Sequence, residues 1–353
     1  MTRSRTRRVV IAPDSFKGSA TAQEAASAIA DGWRAIRADD DLVLAPQADG
    51  GEGTLDALEA SNPGSVRRSA GPVTGPDGRP VPGEWLELAD GTAVVEMAQM
   101  AGLPLMQTLD ALGATSRGLG EVIRAAIDSG ARRLLIGIGG SASTDAGLSM
   151  LDAIGDRMPP PDGALVLTDV TAPLLGPRGA AAVFGPQKGA SARDVAALEE
   201  RLRRAAVRLG GDPDEPGAGA AGGVGFALST WGATLTSGAA FVAEETHLST
   251  LMDGCDVLLT GEGRFDHQSL TGKVVGSILS AARERSITAG AIVGAAAEPP
   301  PCWHVALADL AGSARAAIAD PRRWLIEAGR AAASELGTVD QDPRSGRAPT
   351  VVA

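Results

Sequence analysis

The chain has 353 residues, 44% of them hydrophobic, enough for one large domain or two modest ones. Its 32 Lys and Arg against 43 Asp and Glu give a net charge of −11, which argues against a nucleic-acid footprint and against docking on anionic lipid. Two cysteines (Cys255, Cys302) and three scattered histidines (His247, His267, His304) exclude a disulfide scaffold and a zinc cluster, and no apolar run reaches the ~18 residues that span a bilayer. The basic start at residues 1–8 lacks the apolar segment of a leader. A soluble cytoplasmic protein with no nucleic-acid or membrane partner is expected, as a monomer or homodimer.

In chain order, short apolar runs alternate with helical patterns, the signature of βαβ units and a mainly parallel sheet. Strands are predicted at 9–12, 42–46, 93–97, 134–139, 164–167, 256–260, 289–293 and 305–307. Their continuous apolar character fits burial on both faces. Thr21-Ala22-Gln23-Glu24 is a capping box that opens a helix with Ala25, Ala26, Ile29, Ala30, Trp33 and Ile36 on one face. Further helices are predicted after Ser116, over 193–209, near Gly272 and near Pro321. Two turn-rich stretches, 61–83 and Met158-Pro159-Pro160-Pro161-Asp162-Gly163, read as boundaries, and the polar tail 338–353 reads as mobile.

Lysine usage is selective. Only Lys17, Lys188 and Lys273 occur among the 32 basic residues, each in a Gly- or Pro-punctuated segment. Arg does not replace Lys where a compact ammonium must reach a phosphate or carboxylate. The bland alternative is that these lysines are merely solvated.

Five segments place small and charged residues at the ends of predicted strands, where open α/β sheets bind ligands. They are Pro13-Asp14-Ser15-Phe16-Lys17-Gly18-Ser19; Ala48-Asp49-Gly50-Gly51-Glu52-Gly53-Thr54; the run from Gly137 through Gly139, Gly140, Ser141, Thr144 and Asp145 to Gly147; Thr168-Asp169-Val170 followed by Phe184-Gly185-Pro186-Gln187-Lys188-Gly189; and Thr260-Gly261-Glu262-Gly263-Arg264-Phe265-Asp266, running on to Lys273. Glycines let backbone N–H groups approach an anion, and carboxylates hold Mg²⁺ or take a proton from a hydroxyl. With no His or Cys nucleophile in place, the set points to phosphoryl transfer to a small hydroxylated acceptor. A Walker phosphate loop is absent. Gly217-Ala218-Gly219-Ala220-Ala221-Gly222 matches the dinucleotide glycine pattern by letter, but Pro-rich residues 212–216 stand where its strand belongs.

In this order the segments resemble the type I glycerate kinase family: residues 10–17, 48–54, 115–118, 137–142, 184–190, 216–223 and 260–264 carry the likeness, which spans roughly residues 8–335. The resemblance implies ATP-dependent phosphorylation of D-glycerate to 2-phosphoglycerate, with Mg²⁺, in a cleft between two α/β domains. One is a flavodoxin-like parallel-sheet domain formed by both chain ends (1–68 and 250–353). The other is a mixed α/β domain inserted at 69–249. The family carries a longer stretch where this chain has only residues 156–163, and it tends to have Asn where Ala172 and Thr144 stand here.

Roles are assigned on side-chain chemistry within that frame. Asp14, Lys17, Asp169, Lys188, Arg264 and Asp266 are catalytic candidates, with Lys17, Lys188 and Arg264 as phosphate clamps and Asp169 and Asp266 as metal or base carboxylates. Asp49, Glu52, Ser116 and Arg117 are candidates for glycerate, Arg117 through a bidentate pair with its carboxylate. Gly139, Gly140, Ser141, Gly219, Gly222 and Lys273 are candidates for the nucleotide, and Glu262 for a structural cap. The alternatives are a kinase for a related small hydroxy acid and a non-catalytic nucleotide- or anion-binding relative.

Overall fold

The computed structural model describes residues 5–270 and 273–338; Thr271, Gly272 and the expected tail from 339 on lie outside the described residues. Its strands are β1 Arg8–Pro13, β2 Asp41–Leu44, β3 Val66–Thr74, β4 Pro80–Glu87, β5 Thr92–Glu96, β6 Arg133–Gly137, β7 Ala164–Leu167, β8 Thr234–Thr236, β9 Val257–Phe265, β10 Thr288–Ala296 and β11 Trp303–Ala306. The chain divides into two compact units, one of the described residues up to Ala48 and from Ala243 on, the other Asp49–Val242. The division falls at 48/49 and 242/243, whereas the sequence placed it at 68/69 and 249/250. The helix Thr54–Ser61 goes with the second unit because its Leu55 and Leu58 are buried with Leu86, Val94, Leu135 and Leu167 of the second sheet.

The first unit holds a five-stranded sheet in the order β2-β1-β9-β10-β11, every pair parallel. Counted within the unit this is 2-1-3-4-5, the flavodoxin-like doubly wound order. The capping box at Thr21 forms as read: its side chain accepts from Glu24 N, and Glu24 reaches back to Thr21 N. The helix it opens, Ala22–Ile36, packs on Pro321–Glu335, which starts with Pro at its first turn. Two glycines set that distance. A Cβ on Gly32 would stand 2.0 Å from Ile326 O, and one on Gly329 would stand 2.3 Å from Ile29 O.

The second unit holds a six-stranded sheet in the order β3-β4-β5-β6-β7-β8. The pairs from β5 to β8 are parallel, and β3-β4-β5 is an antiparallel meander. The stretch 61–83 is therefore no boundary but most of a hairpin, bulged between Ser69 and Gly71. Its largely exposed outer strand β3 carries the Gly and Pro that an edge strand tolerates, which hid it from a search for apolar runs. The Pro-rich stretch before Gly163 is not a boundary either. It joins the helix Leu148–Ile154 to β7 within the unit. Arg157 pairs there with Asp128, Arg132 pairs with Asp162, and Trp231 Nε1 donates to Arg157 O. This short connection enters β7 at its amino end.

Gly329→Ala is expected to lower unfolding stability. Overpacking at a backbone contact costs about 1–3 kcal/mol, more than the 0.5–1 kcal/mol (roughly) that Ala gains over Gly in a helix. A denaturant midpoint equal to or above the parent's would show that the helices do not meet at this distance.

Candidate active site

The candidate residues divide between the units. Asp14, Lys17, Arg264, Asp266 and Lys273 belong to the first; Asp49, Glu52, Ser116, Arg117, Gly139, Gly140, Ser141, Asp169, Lys188, Gly219 and Gly222 belong to the second.

In the second unit, four loops converge at the carboxyl ends of the parallel strands. The loop 49–53 lies on the end of β6 so closely that side chains are excluded on both sides: a Cβ on Gly139 would stand 2.5 Å from Gly51 Cα, and one on Gly50 2.4 Å from Leu167 O. Gly139 N donates to Gly50 O at 3.0 Å. Gly238 completes the wedge, since its Cβ would stand 2.1 Å from Asp49 O. Asp169, just past β7, accepts from Ser237 Oγ at 2.7 Å and from Ala239 N at 3.1 Å, at the start of the helix Gly238–Glu245. Burial pushes the Asp169 pKa up, and the nearby negative charge of Asp49 adds to the rise. The two carboxylates thus lie near enough for Asp49 to disfavour ionisation of Asp169, while Asp49 Oδ1 also accepts from Gly51 N.

Behind this pair, Lys188 is only 2% exposed. Its ammonium donates to Ser141 Oγ at 2.9 Å and to Ser143 O at 2.6 Å. Burial pushes its pKa down to about 8, opposed by the charge of Asp145. Asp145 in turn accepts from Ser116 N and Oγ and from Gly147 N. Ser116 is fully buried, so its hydroxyl orients the Asp145 turn rather than facing open space. Arg117 opens the helix Arg117–Asp128 on the surface, where its Nε pairs with Glu121 at 3.0 Å. Gly219 and Gly222 are points of close packing: a Cβ on either would stand 2.2 Å from a carbonyl oxygen, that of Pro173 or Ser143. The Ser143 and Thr144 hydroxyls are buried without hydrogen-bond partners.

In the first unit, the loops after β1 and in the outer part of β9 meet at the point where the strand order reverses. Asp14 Oδ1 accepts from Ser15 N at 2.6 Å, and Asp14 N donates to Gly261 O. A Cβ on Gly263 would stand 3.1 Å from Lys17 N, so the two loops touch. Glu262 is the focus of the charges there. Burial raises its pKa, Ser269 and the cations Lys273 and Lys17 oppose the rise, and Asp266 adds to it. Arg264 is exposed on β9.

Sequence reasoning gave no role to Glu96 or Asp145. Glu96 is fully buried at the end of β5, and burial lifts its pKa to about 7. The available signal was an acid inside the otherwise apolar predicted strand 93–97. Asp145 stood inside a quoted glycine-rich run, without a stated partner.

No group of three or more His, Cys, Asp or Glu side chains able to hold a metal ion occurs among the described residues. Asp49 nevertheless suits Mg²⁺, which is bound through one or two carboxylates together with substrate phosphates and water. No helix among the described residues is long and apolar enough to cross a membrane.

Carboxylates and glycine turns at the carboxyl ends of parallel strands stand where α/β proteins bind small ligands. A family model described as the glycerate kinase family matches residues 9–166 and 163–336, the two matches meeting beside the short connection before β7. Glycerate 2-kinase of Escherichia coli (strain K12) is 37% identical over 95% of this chain and 92% of its own length. Glycerate kinase of Bacillus subtilis (strain 168) is 39% identical over 81% of this chain and 85% of its own. A crystal structure assigned to glycerate kinase 2 from Salmonella typhimurium LT2 superposes with a TM-score of 0.75 at 33% identity, over 94% of this chain and 99% of that one. The chain belongs to the glycerate kinase family. It is a kinase, and its two α/β units and parallel first sheet are as the sequence implied.

Lys188→Met keeps the bulk of the side chain and removes both hydrogen bonds to the 141–143 loop. A loss of about 1–3 kcal/mol is expected in urea unfolding. An unchanged midpoint would show that the ammonium does not tie that loop.

Proposed function

We propose that this chain transfers the γ-phosphoryl group of ATP to the 2-hydroxyl of D-glycerate, giving 2-phosphoglycerate and ADP in the cytoplasm. The observation that carries the reading is the neighbouring pair Asp49 and Asp169 among glycine turns, in a chain of this family. Its E. coli relative is named a glycerate 2-kinase, which supports the 2-phosphate product.

The carboxylate of Asp49 would hold Mg²⁺ in the second unit; Asp266 is a metal-ligand candidate within the first unit. When bound, the ion supplies neutralisation of the charge on the transferring phosphate. Asp169 takes the hydroxyl proton. Its raised pKa suits it to that task, since a base whose pKa moves toward neutrality holds the proton better while staying ionised at working pH. The glycerate oxygen forms the new bond to phosphorus as the bridging oxygen departs with ADP. Glu52 beside Asp49 receives the acceptor's hydroxyls. Arg117 takes its carboxylate by exchanging Glu121 for it. The backbone at Gly139 and Gly140, with Ser141 held by Lys188, receives phosphate oxygens. Lys17, Arg264 and Lys273 neutralise phosphate in the first unit, where Asp14 anchors the Lys17 loop. Ser116, Gly219 and Gly222 act by holding the loops together. A different small hydroxy acid as acceptor is not favoured, because the shortened connection enters at the amino end of β7, while Asp49 and Asp169 lie at the carboxyl ends.

The test is a coupled assay with ATP, Mg²⁺ and D-glycerate, the product read by ³¹P NMR. A 2-phosphoglycerate signal is expected; a 3-phosphoglycerate signal, or no turnover by folded protein, overturns the proposal. Asp169→Asn is expected to lower kcat by about 10²–10⁴-fold with an unchanged melting curve. A fall of less than about tenfold would remove Asp169 from the proton transfer.

A further inference from the structure

Glu96 sits under the loop that carries Asp49 and Glu52. Its Oε1 accepts from Gly53 N at 3.2 Å and from Gln99 Nε2 at 3.1 Å, and its Oε2 accepts from Leu55 N at 3.0 Å. Both backbone donors belong to the start of the helix Thr54–Ser61, and Gly53 caps it in a left-handed conformation with no side-chain cap of its own. The other end of the same loop is fixed by Gly139 N on Gly50 O. Between these two anchors lie Gly51 and Glu52. Thr54 Oγ1 closes the segment on Gly51 O at 2.7 Å.

We infer that Glu96 is a positioning residue of this kinase: its ionised carboxylate fixes the Gly53 end of the loop and so sets where Glu52 and Asp49 meet the acceptor. Gly53 N and Leu55 N approach different oxygens, so both oxygens must accept. Protonation turns one oxygen into a hydroxyl, which keeps lone pairs but accepts more weakly than a carboxylate oxygen. The Gln isostere puts an NH₂ group, which cannot accept, opposite one backbone N–H. The anchor is weakened in the first case and lost in the second. Two groups complete the surroundings. Gln99 is neutral, and Asp56, from the adjoining helix, disfavours the ionised form but is paired with Arg67. Burial places the titration near neutrality, so the anchor strengthens and weakens within the working range.

The inference rests on the glycerate reaction proposed above, so its test carries a readout independent of turnover. Full-length parent and Glu96→Gln are assayed from about pH 5.5 to about pH 9, and amide hydrogen exchange of the 49–58 segment is followed in parallel. The parent's kcat/KM for D-glycerate should rise as the pH passes about 7. E96Q should be about tenfold lower at alkaline pH and flat across that window, with KM for ATP within about twofold of the parent. In local opening that breaks the two backbone bonds but leaves Glu96 buried, protection of Gly53 and Leu55, corrected for intrinsic exchange, should rise through the same window in the parent and not in E96Q, because those bonds favour the ionised form. An E96Q profile that keeps the parent's acidic limb overturns the inference. Should E96Q fail to fold, the parent's exchange decides alone: protection independent of pH overturns it. Should the parent show no glycerate turnover while the protection still titrates, the anchor stands and the glycerate reading falls.

Discussion

The second unit depends on the close approach of two stretches of bare backbone. Gly50 O meets Gly139 N where neither strand end has room for a Cβ, and the 49–53 loop is wedged between β6, β7 and the turn at Gly238. A side chain at Gly50, Gly139 or Gly238 would force the loop to shift, because its Cβ would stand 2.1–2.5 Å from neighbouring backbone. The position of Asp49 beside Asp169, the seating of Glu52 and the reach of Glu96 to Gly53 all follow from that stacking. The glycines serve here less as flexible joints than as missing volume.

The candidate site concentrates buried charge, and the signs are instructive. Glu96 has a folded-state pKa raised to about 7 from an ordinary 4.5. Its contribution to stability is therefore full below the ordinary value and is lost as the pH rises through about 7. Lys188 is the mirror case, lowered from 10.5 to about 8, so the unfolded chain binds more protons between those values and stability rises with pH across them. Between about pH 7 and about pH 8 both groups are mostly ionised against burial. The second unit is thus least favourably charged for stability in the range where its loops are best ordered for chemistry, a common trade between activity and stability.

Much of this was legible in the residues. The capping box at Thr21, the Ser116 helix start, the helix over 193–209 and the apolar strands of the first sheet are local patterns, set by neighbours in sequence, and each appears as read. The glycine-rich runs also gave away where strands end. The hairpin β3-β4 was hidden because its outer strand is half solvated and interrupted by Gly and Pro. Lys188 was read as a selected cation, but selection says nothing of what surrounds it, and its burial against Ser141 and Ser143 follows from long-range packing. Glu96 was overlooked for a similar reason. The donors that make it important, Gly53 and Leu55, are more than forty residues away.

The order of strands has a consequence for how the chain is made. β1 pairs with β2 early, but its other neighbour, β9, aligns Val257 with Val9 and leaves the ribosome only after the whole of the second unit. The nascent amino-terminal strands must wait with one parallel edge bare, while residues 49–242 have every strand of their own sheet to hand. Synthesis therefore favours completion of the interior unit first, with the outer unit closing around β9 when the last third of the chain arrives. In that interval β1, buried on both faces in the finished protein, is the segment most exposed to mispairing.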